Sequence, residues 1–301
     1  MPTRLIALTR PLDLRLTLTP LRHGPYDPTI RLAAAEAWRA SRTPDGPSTV
    51  HLRHVGATVQ AEAWGPGAAW ELDHLGDLVG ETDRPEAMTA LHPLVADLVL
   101  RFAGARLTRT GRVVEALVPA VIEQKITGLE AQRIYRRLVR AYGAAAPGPG
   151  AGMGLLVPPE PRRLATLPYH AYHPLGLEQR RADVLRRIGV LAAKLEGGLA
   201  LGPGPAQARL LAVAGIGPWT AAEAIRVALG DPDAVSTGDF HLPTLVAFSL
   251  AGETQADDGR MLELLEPYRG QRARVVRLLE LGGRSPARRA PRMAAGAIER
   301  Y

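Results

Sequence analysis

The second half of the chain carries a carboxylate and an aromatic ring whose spacing could serve chemistry. Trp219 and Glu223 are four residues apart and so share one face of a helix, while Asp239 follows in the loop Ser236-Thr237-Gly238-Asp239. A carboxylate held close to a developing positive charge stabilises that charge, and it can orient or deprotonate an attacking water molecule. An indole face can stack on a planar group and attract a cationic one. Asp239 is therefore the candidate for chemistry, with Trp219 and Glu223 as candidate walls of a pocket beside it.

Each of these residues also has an ordinary structural explanation. Asp239 could cap the helix that follows it, Trp219 could be packed in a core, and Glu223 could lie on a solvated helix face. His241, two residues past Asp239, could face the same pocket or could be a structural histidine with satisfied hydrogen bonds. The glycine before Asp239 and the hairpin that precedes Trp219 favour a positioned carboxylate.

That hairpin has the pattern of a tight turn between two helices. A short helix ends at Ala214, Gly215-Ile216-Gly217 forms the turn, and Pro218 occupies the first position of the next helix, where no N–H is needed. We expect positive φ angles at the two glycines. Together with the positive end of the helix dipole, a turn of this kind can hold a phosphate without reading base sequence. The candidate residues for this contact are Gly215, Ile216, Gly217 and Thr220. The alternative is a compact helix corner with an inward-facing isoleucine.

A second helix corner is predicted at 123–127, the segment EQKIT. An apolar helix that contains Pro119 precedes it, and Thr127 with Glu130 matches a capping box for the helix that follows. Gln124 and Lys125 lie in this corner. The ammonium group of Lys125 could reach a phosphate from the end of its long stem, or Lys125 could be a simple exposed corner residue.

The composition limits the chemistry that is available. The 301 residues include no cysteine, which excludes disulfides, thiolate zinc sites, iron–sulfur clusters and cysteine nucleophiles. The formal net charge is +7, and Lys125 and Lys194 are the only lysines, so nearly all positive charge is arginine. Arginine pairs bidentately with phosphate, so a polyanionic partner fits this charge, but a codon bias toward arginine in a protein with a merely basic surface explains it as well. No run of apolar residues is long enough to span a membrane or to act as a signal-peptide core, so we expect a cytoplasmic protein.

The hydrophobic pattern predicts an α+β architecture with two domains. Residues 1–85 read as a small antiparallel-sheet domain, with alternating runs at 12–18, 49–52, 57–63 and 70–72 and an alanine-rich helix at 28–42. Helical spacing then continues through residues 86–281. Within that region, the Pro/Gly-rich segment 144–161 is predicted to be a flexible loop, and arginines 180, 181, 186 and 187 are placed on the polar side of a helix. Residues 282–301 are predicted to be a basic, flexible tail.

In the order and spacing of these features the sequence resembles the helix-hairpin-helix DNA glycosylases, and within them the 3-methyladenine DNA glycosylase II branch. The resemblance covers nearly the whole chain. Besides the hairpin, Trp219 and Asp239, it is carried by four motifs: VPAVIEQKITGLEAQRI at 118–134, PEPRRLATL at 159–167, LGLEQRRADVL at 175–185 and EPYRGQRARVVRLL at 266–279.

The resemblance implies a DNA-repair enzyme that flips a damaged, alkylated nucleotide out of double-stranded DNA and hydrolyses its N-glycosidic bond. It also implies that Gln124 and Lys125 contact the DNA at the gap that the flipped nucleotide leaves. Asp239 would stabilise the oxocarbenium-like sugar as the base leaves. Bifunctional members carry a lysine where this chain has Trp219, so a monofunctional enzyme without lyase activity is implied. The resemblance implies no organic cofactor and no catalytic metal. It does imply a structural Na⁺ or K⁺ bound by the carbonyls of Val213 and Ile216. A monomer associated with the nucleoid of a bacterial-type cell is expected.

Two departures from the branch leave the substrate open. Glu223 stands where the branch has an aromatic residue, and Lys125 stands where it has an apolar wedge. One alternative is a glycosylase for oxidised, deaminated or bulky bases. The other is a non-catalytic DNA-damage-binding protein of the same fold. A pocket that exposes Asp239 favours an enzyme, whereas burial of Asp239 behind a salt bridge favours the binder.

Overall fold

The computed structural model describes residues 2–286, so the predicted basic tail lies from residue 287 onward outside the described residues. The N-terminal part is built on a five-stranded antiparallel sheet with the order β1-β5-β4-β3-β2. Its strands are β1 Thr3–Ala7, β2 Ile30–Leu32, β3 Glu36–Thr43, β4 Gly46–Val55 and β5 Thr58–Trp64. Along β5 every second residue is buried, which is the alternation of a strand with one face on the core. The α+β fold class is confirmed.

Three predictions in this region are wrong. The alanine-rich segment 28–42 forms β2 and β3 instead of a helix, because β3 pairs along its whole length with β4 and the pairing overrides the helix propensity of alanine. The leucines at 12–18 lie on either side of the start of a helix, α1 (Leu14–Leu18), which Asp13 caps by accepting from the N–H of Leu16. The run at 70–72 lies within α2 (Ala68–Asp73), which is followed by α3 (Leu75–Leu78).

The remainder of the described chain is largely helical. Its helices are α4 Pro93–Arg101, α5 Val113–Ile122, α6 Gly128–Tyr142, α7 Pro149–Gly152, α8 Pro161–Thr166, α9 Tyr169–Tyr172, α10 Gln179–Glu196, α11 Pro203–Leu211, α12 Pro218–Ala228, α13 Leu242–Ala251, α14 Asp258–Leu265 and α15 Arg272–Gly282. None of the helices between residues 2 and 286 has the length and apolarity that crossing a bilayer requires.

Local signals position the helices around the site. The Thr127 side chain accepts from the backbone N–H of Glu130, so the predicted capping box starts α6, and Pro119 lies inside α5 as expected. One hydrophobic cluster joins α5, α6, α10 and α12, and a second joins α4, α13, α14 and α15. The candidate site lies where α12, α13 and α15 meet, between these clusters. The domain boundary near residue 85 stays a prediction.

The Pro/Gly-rich segment 144–161 is more ordered than predicted. Two short strands, β6 (Ala144–Ala145) and β7 (Leu156–Val157), pair with each other within it. Leu155 and Val157 are fully buried and pack against Ala40 of β3. The segment therefore has its own apolar anchor to the sheet, which a reading based on proline and glycine content overlooks.

Candidate active site

Asp239 lies in the loop before α13 with both carboxylate oxygens engaged. Oδ1 accepts from the backbone N–H groups of His241 (2.7 Å) and Leu242 (2.8 Å), so the residue caps α13. The two sequence interpretations of Asp239 are thus compatible, because the same cap fixes the carboxylate in space. The loop is fixed further by Gly238, which has φ +86° and donates its N–H to Asp258 Oδ2 at 2.7 Å.

Trp219, in the first turn of α12, binds the other oxygen of Asp239. Its indole Nε1 donates to Oδ2 at 3.1 Å. The side chain of Trp219 is half-buried, which leaves part of the ring open to solvent beside the carboxylate. The structure thereby brings together the two residues, twenty positions apart, that the sequence singled out.

Asp239 opens onto a cavity of about 270 Å³. This volume is near the small end of the range for ligand sites and suits a single planar base. The lining residues are Glu223, Arg226, Ala234, Ser236, Asp239, His241, Leu242, Leu245, Val276 and Glu280. Asp239 forms no ion pair among residues 2–286, which is the arrangement that favours an enzyme over a binder. His241 is exposed at the edge of the cavity, and Trp219 adjoins the cavity through Asp239 without lining it.

Glu223 lines this cavity and does not lie on a solvated helix face. Its Oε1 accepts from the hydroxyl of Ser236, and its Oε2 pairs with Arg226 Nη2 at 2.6 Å. Arg226 also contacts Glu280 at 3.4 Å. Burial by itself lowers the pKa of Arg226, but the two carboxylates outweigh burial and hold that pKa above its usual value. Arg226 therefore stays charged. Glu280 also pairs with Arg277 at 3.3 Å, so Asp239 is the one carboxylate of the cavity wall without an arginine partner among residues 2–286.

The walls of the cavity are polar and aliphatic. Among the described residues that line it, His241 is the one with an aromatic ring. A base in this cavity would therefore meet carboxylate, hydroxyl and guanidinium groups more than ring faces. The sequence patterns do not single out Arg226, Ser236 and Glu280, because α12, the following loop and α15 converge only in the folded chain.

The hairpin has the predicted shape with one correction. Gly215 has φ +95°, and a Cβ there would lie 2.3 Å from Cγ2 of Val184 on α10, so only glycine fits. Gly217 has φ −96°, which most residues adopt, so the expected positive φ at the second glycine is wrong. Ile216 is buried and presents only its backbone to solvent. Pro218 starts α12, as predicted.

The predicted corner at 123–127 touches the hairpin directly. Gln124 Nε2 donates to the carbonyl of Gly215 (3.0 Å) and to the hydroxyl of Thr220 (2.8 Å). The side chain of Thr220 is buried and occupied by this bond. Lys125 is exposed and has φ +58°, which is the left-handed conformation. No other non-glycine residue between positions 2 and 286 has a positive φ. The corner thus holds Lys125 out into solvent on the side of the hairpin.

Arg181 was wrongly placed on the polar side of its helix. It is only 2% exposed, and its Nη1 donates to the carbonyl of Ile122 at 2.9 Å, at the end of α5. A signal for this position exists, since Arg181 shares a helix face with the buried Val184, Leu185 and Ile188 at spacings of three, four and seven. Arg187, on the same helix, donates from Nη1 to the carbonyl of Ala214 in the hairpin.

Comparison with known proteins gives a partial match in sequence. No family model matches the chain. Curated relatives from two strains of Mycobacterium tuberculosis, each described as a probable bifunctional transcriptional activator/DNA repair enzyme AlkA, are 30% identical over 189 residues, which are 57% of this chain and 37% of the relative. The chain therefore matches well under two thirds of the length of these relatives.

Solved structures match the chain almost from end to end. A 3-methyladenine DNA glycosylase from Archaeoglobus fulgidus superimposes with a TM-score of 0.76 at 20% identity, over 92% of this chain and 97% of that one. The apo 8-oxoguanine glycosylase/lyase of Clostridium acetobutylicum gives 0.69 at 13% identity, over 93% and 96%. The same enzyme with double-stranded DNA gives 0.60 at 13% identity, over 83% and 96%. The chain has the fold of the helix-hairpin-helix DNA glycosylases, 3-methyladenine glycosylases included, as the resemblance predicted.

Proposed function

We propose that this protein is a monofunctional DNA glycosylase that removes alkylated bases from double-stranded DNA by hydrolysis of the N-glycosidic bond. The observation that carries the proposal is the carboxylate of Asp239. It faces a base-sized cavity, has no ion-pair partner among residues 2–286, and has both oxygens held by Trp219 and by the start of α13. A structural cap alone does not require an open cavity beside the carboxylate.

The reaction follows from the charge that develops at the sugar. A base inside the duplex is out of reach, so the nucleotide must be extruded and its base seated in the cavity. As the bond from C1′ to the base breaks, C1′ and the ring oxygen become positively charged, and the anionic Asp239 stabilises them. A water molecule then adds to C1′ and loses a proton, which leaves an abasic site and the free base.

The cavity supports a cationic leaving base. N-alkylated purines such as 3-methyladenine and 7-methylguanine carry a positive charge while they are attached to the sugar. Glu223, Glu280 and Asp239 at the cavity wall outnumber Arg226 and Arg277, which pair with the two glutamates, so a cationic base gains Coulomb energy there that a neutral base does not. The 3-methyladenine glycosylase II branch has an aromatic residue at the position of Glu223, which can stack on the base. In this chain, charge pairing with Glu223 would replace much of that stacking.

The absence of strand cleavage follows from Trp219. An indole has no nucleophilic amine, so it forms no Schiff base with the sugar, and the only two lysines of the chain are Lys125 and Lys194. Lys194 is in the last turn of α10 and Lys125 lies in the corner at 123–127, so neither lysine is on α12, where bifunctional members carry theirs. We expect borohydride to trap no covalent complex with DNA that contains an abasic site, whereas a lyase such as the Clostridium enzyme named above provides the positive control.

The deciding experiment is base release from duplex DNA treated with a methylating agent. Wild type should release 3-methyladenine or 7-methylguanine, and Asp239→Asn should lower the single-turnover rate by about 10²- to 10⁴-fold, since it removes the charge and keeps the shape. Asp97→Asn, a charge loss on an exposed helix, is the matched control. Release of oxidised or deaminated bases, and not of methylated ones, would show that the substrate belongs to another class of lesion. Binding without release of any base would support the damage-binding alternative.

We also propose that the protein acts as a monomer, in the cytoplasm of a bacterial cell and on its nucleoid DNA. A single DNA-facing surface, formed by the hairpin, the corner at 123–127 and the Asp239 loop, is sufficient for the reaction. Sedimentation of the protein alone and with one duplex tests the monomer, and a 1:1 complex is expected.

A further inference from the structure

The carbonyl groups of the hairpin already have protein donors. The N–H of Ile216 donates to the carbonyl of Val213 at 3.0 Å, and Gln124 Nε2 donates to that of Gly215 at 3.0 Å. Between these two, Arg187 Nη1 donates to the carbonyl of Ala214. Three successive carbonyls thus accept hydrogen bonds, and the middle one accepts from a guanidinium.

The resemblance implies Na⁺ or K⁺ at the carbonyls of Val213 and Ile216, and this turn does not fit such an ion. The carbonyl of Val213 already accepts the N–H of Ile216, and the charged guanidinium of Arg187 lies against the next carbonyl, that of Ala214. Arg187 forms no ion pair with a carboxylate among residues 2–286, so its charge is not cancelled locally. A second cation in the same turn would be repelled at short range.

The position of Arg187 is set by the same close contact that selects glycine in the turn. Gly215 packs against Val184, and Arg187 lies one turn further along the same face of α10. Ala214 and Gly215 are both exposed, so the guanidinium group lies at the surface of the hairpin and not behind it. A phosphate that approaches the start of α12 would meet this charge.

We propose that Arg187 is a built-in cation of the hairpin, which supplies from the chain itself the positive charge that the resemblance assigns to a bound Na⁺ or K⁺. The guanidinium holds the turn through the carbonyl of Ala214 and pairs with a backbone phosphate of DNA. The phosphate contact rests on the proposed function, whereas the exclusion of an alkali cation does not.

The first test needs no DNA. Thermal unfolding of the wild type is followed in the chloride salts of Na⁺, K⁺ and tetramethylammonium, an ion too large for the turn, at equal ionic strength. The wild type and Arg187→Lys should melt at the same temperature in all three salts. Arg187→Met, which keeps the stem and loses the charge, should melt higher in Na⁺ or K⁺ than in tetramethylammonium. Arg186→Met, one position earlier and paired with Asp183, is the matched control and should behave as the wild type.

The second test uses fluorescence anisotropy with a duplex that contains a tetrahydrofuran abasic analogue. Arg187→Met should bind about tenfold more weakly in tetramethylammonium chloride, and its slope of log affinity against log salt should fall by about one, the loss of one phosphate contact. Arg187→Lys should retain most of the affinity.

Two outcomes would overturn the proposal. The first is a wild type whose melting temperature rises in Na⁺ or K⁺ as much as that of Arg187→Met, because a cation would then bind despite Arg187. The second is an Arg187→Met variant that matches the wild type in melting behaviour, affinity and salt slope. If the wild type binds no DNA at all, the proposed function fails, and the melting series still decides whether the hairpin excludes the cation.

Discussion

The indole N–H of Trp219 donates to Oδ2 of Asp239 at 3.1 Å and joins the first turn of α12 to the loop before α13. Oδ1 is already held by two backbone N–H groups, so the indole fixes the only remaining rotation of the carboxylate. The indole therefore orients the carboxylate of Asp239 from beside the cavity.

Trp219→Phe tests this orienting role, because it keeps an aromatic ring and removes the N–H. Loss of one hydrogen bond to a charged group should lower the single-turnover rate of base release by about 10- to 100-fold with little change in affinity for damaged DNA. Trp219→Ala should lower that rate further, since the packing of the ring beside the carboxylate is lost as well. Trp38→Phe, a stacked tryptophan of the sheet, is the control. A Trp219→Phe enzyme with the wild-type rate would show that the hydrogen bond does not position Asp239.

Glu223→Gln tests whether charge selects the base. The change preserves shape and the bond to Ser236, and it removes one of the negative charges that face the cavity. Release of cationic 7-methylguanine should fall about tenfold, whereas release of neutral hypoxanthine should stay level or rise. Stability should fall by about 1–3 kcal/mol, because Arg226 loses a close partner.

The matched control for this change is Glu263→Gln. Glu263 pairs with Arg260 at the same three-residue spacing on α14, but on an exposed face, so stability should change by less than about 1 kcal/mol and base release should not change. If Glu223→Gln lowered the release of 7-methylguanine and of hypoxanthine equally, recognition of the base by its charge would be contradicted.

Arg181→Met tests the support of the corner at 123–127. The buried guanidinium holds the carbonyl of Ile122, and its removal leaves that carbonyl without a side-chain donor, which should cost about 1–3 kcal/mol in the free energy of unfolding. Amide exchange at 123–127 should accelerate beyond that at α12, and affinity for a duplex with an abasic analogue should fall. The neighbouring Arg180→Met removes an exposed arginine and should show none of these effects. Uniform acceleration of exchange over the whole chain would instead indicate a general loss of stability.

Sequence patterns predicted well the features that a few neighbouring residues decide. Pro218 at the start of α12, Gly215 in the turn and Thr127 at the cap of α6 act through contacts that are close in sequence or through backbone conformation. The pair of Trp219 and Asp239 was predicted only because the motif order resembled a known family. Composition and helical periodicity alone do not set a distance between two elements.

The features that were missed depend on contacts between distant segments. The strand β3 forms at an alanine-rich stretch because β4 and β2 pair with it on both sides. The wall of the cavity needs Glu280, more than fifty residues beyond Glu223, and α15 brings it there. Arg181 is buried where its guanidinium group donates to the carbonyl of Ile122, at the end of α5, and to that of Gln124 in the corner that follows. A single sequence does not carry this information.

His23 couples the sheet region to the corner at 123–127 in a manner that depends on pH. Its Nδ1 lies 3.7 Å from Glu123 Oε1, and its ring contacts Tyr135 at 4.7 Å between centroids. Burial lowers the pKa of His23, but the contact with Glu123 and the charges of Asp27, Glu123 and Glu115 outweigh burial, so the pKa lies above its usual 6.5. Because the folded state binds this proton more tightly than the unfolded state, the contribution to stability is complete below pH 6.5. It is lost as pH rises through the raised pKa.

His23→Gln should remove this dependence. The difference in the free energy of unfolding between wild type and variant should be largest near pH 5.5, and it should shrink by up to about 1 kcal/mol by pH 8.5, since Glu123 is partly exposed and its interaction is screened. Urea denaturation across this range measures the difference. His170→Gln, an exposed histidine on α9, is the control and should give a difference that does not change with pH. A His23→Gln difference that grows with pH would mean that His23 is held neutral in the folded protein, because burial would then dominate over Glu123.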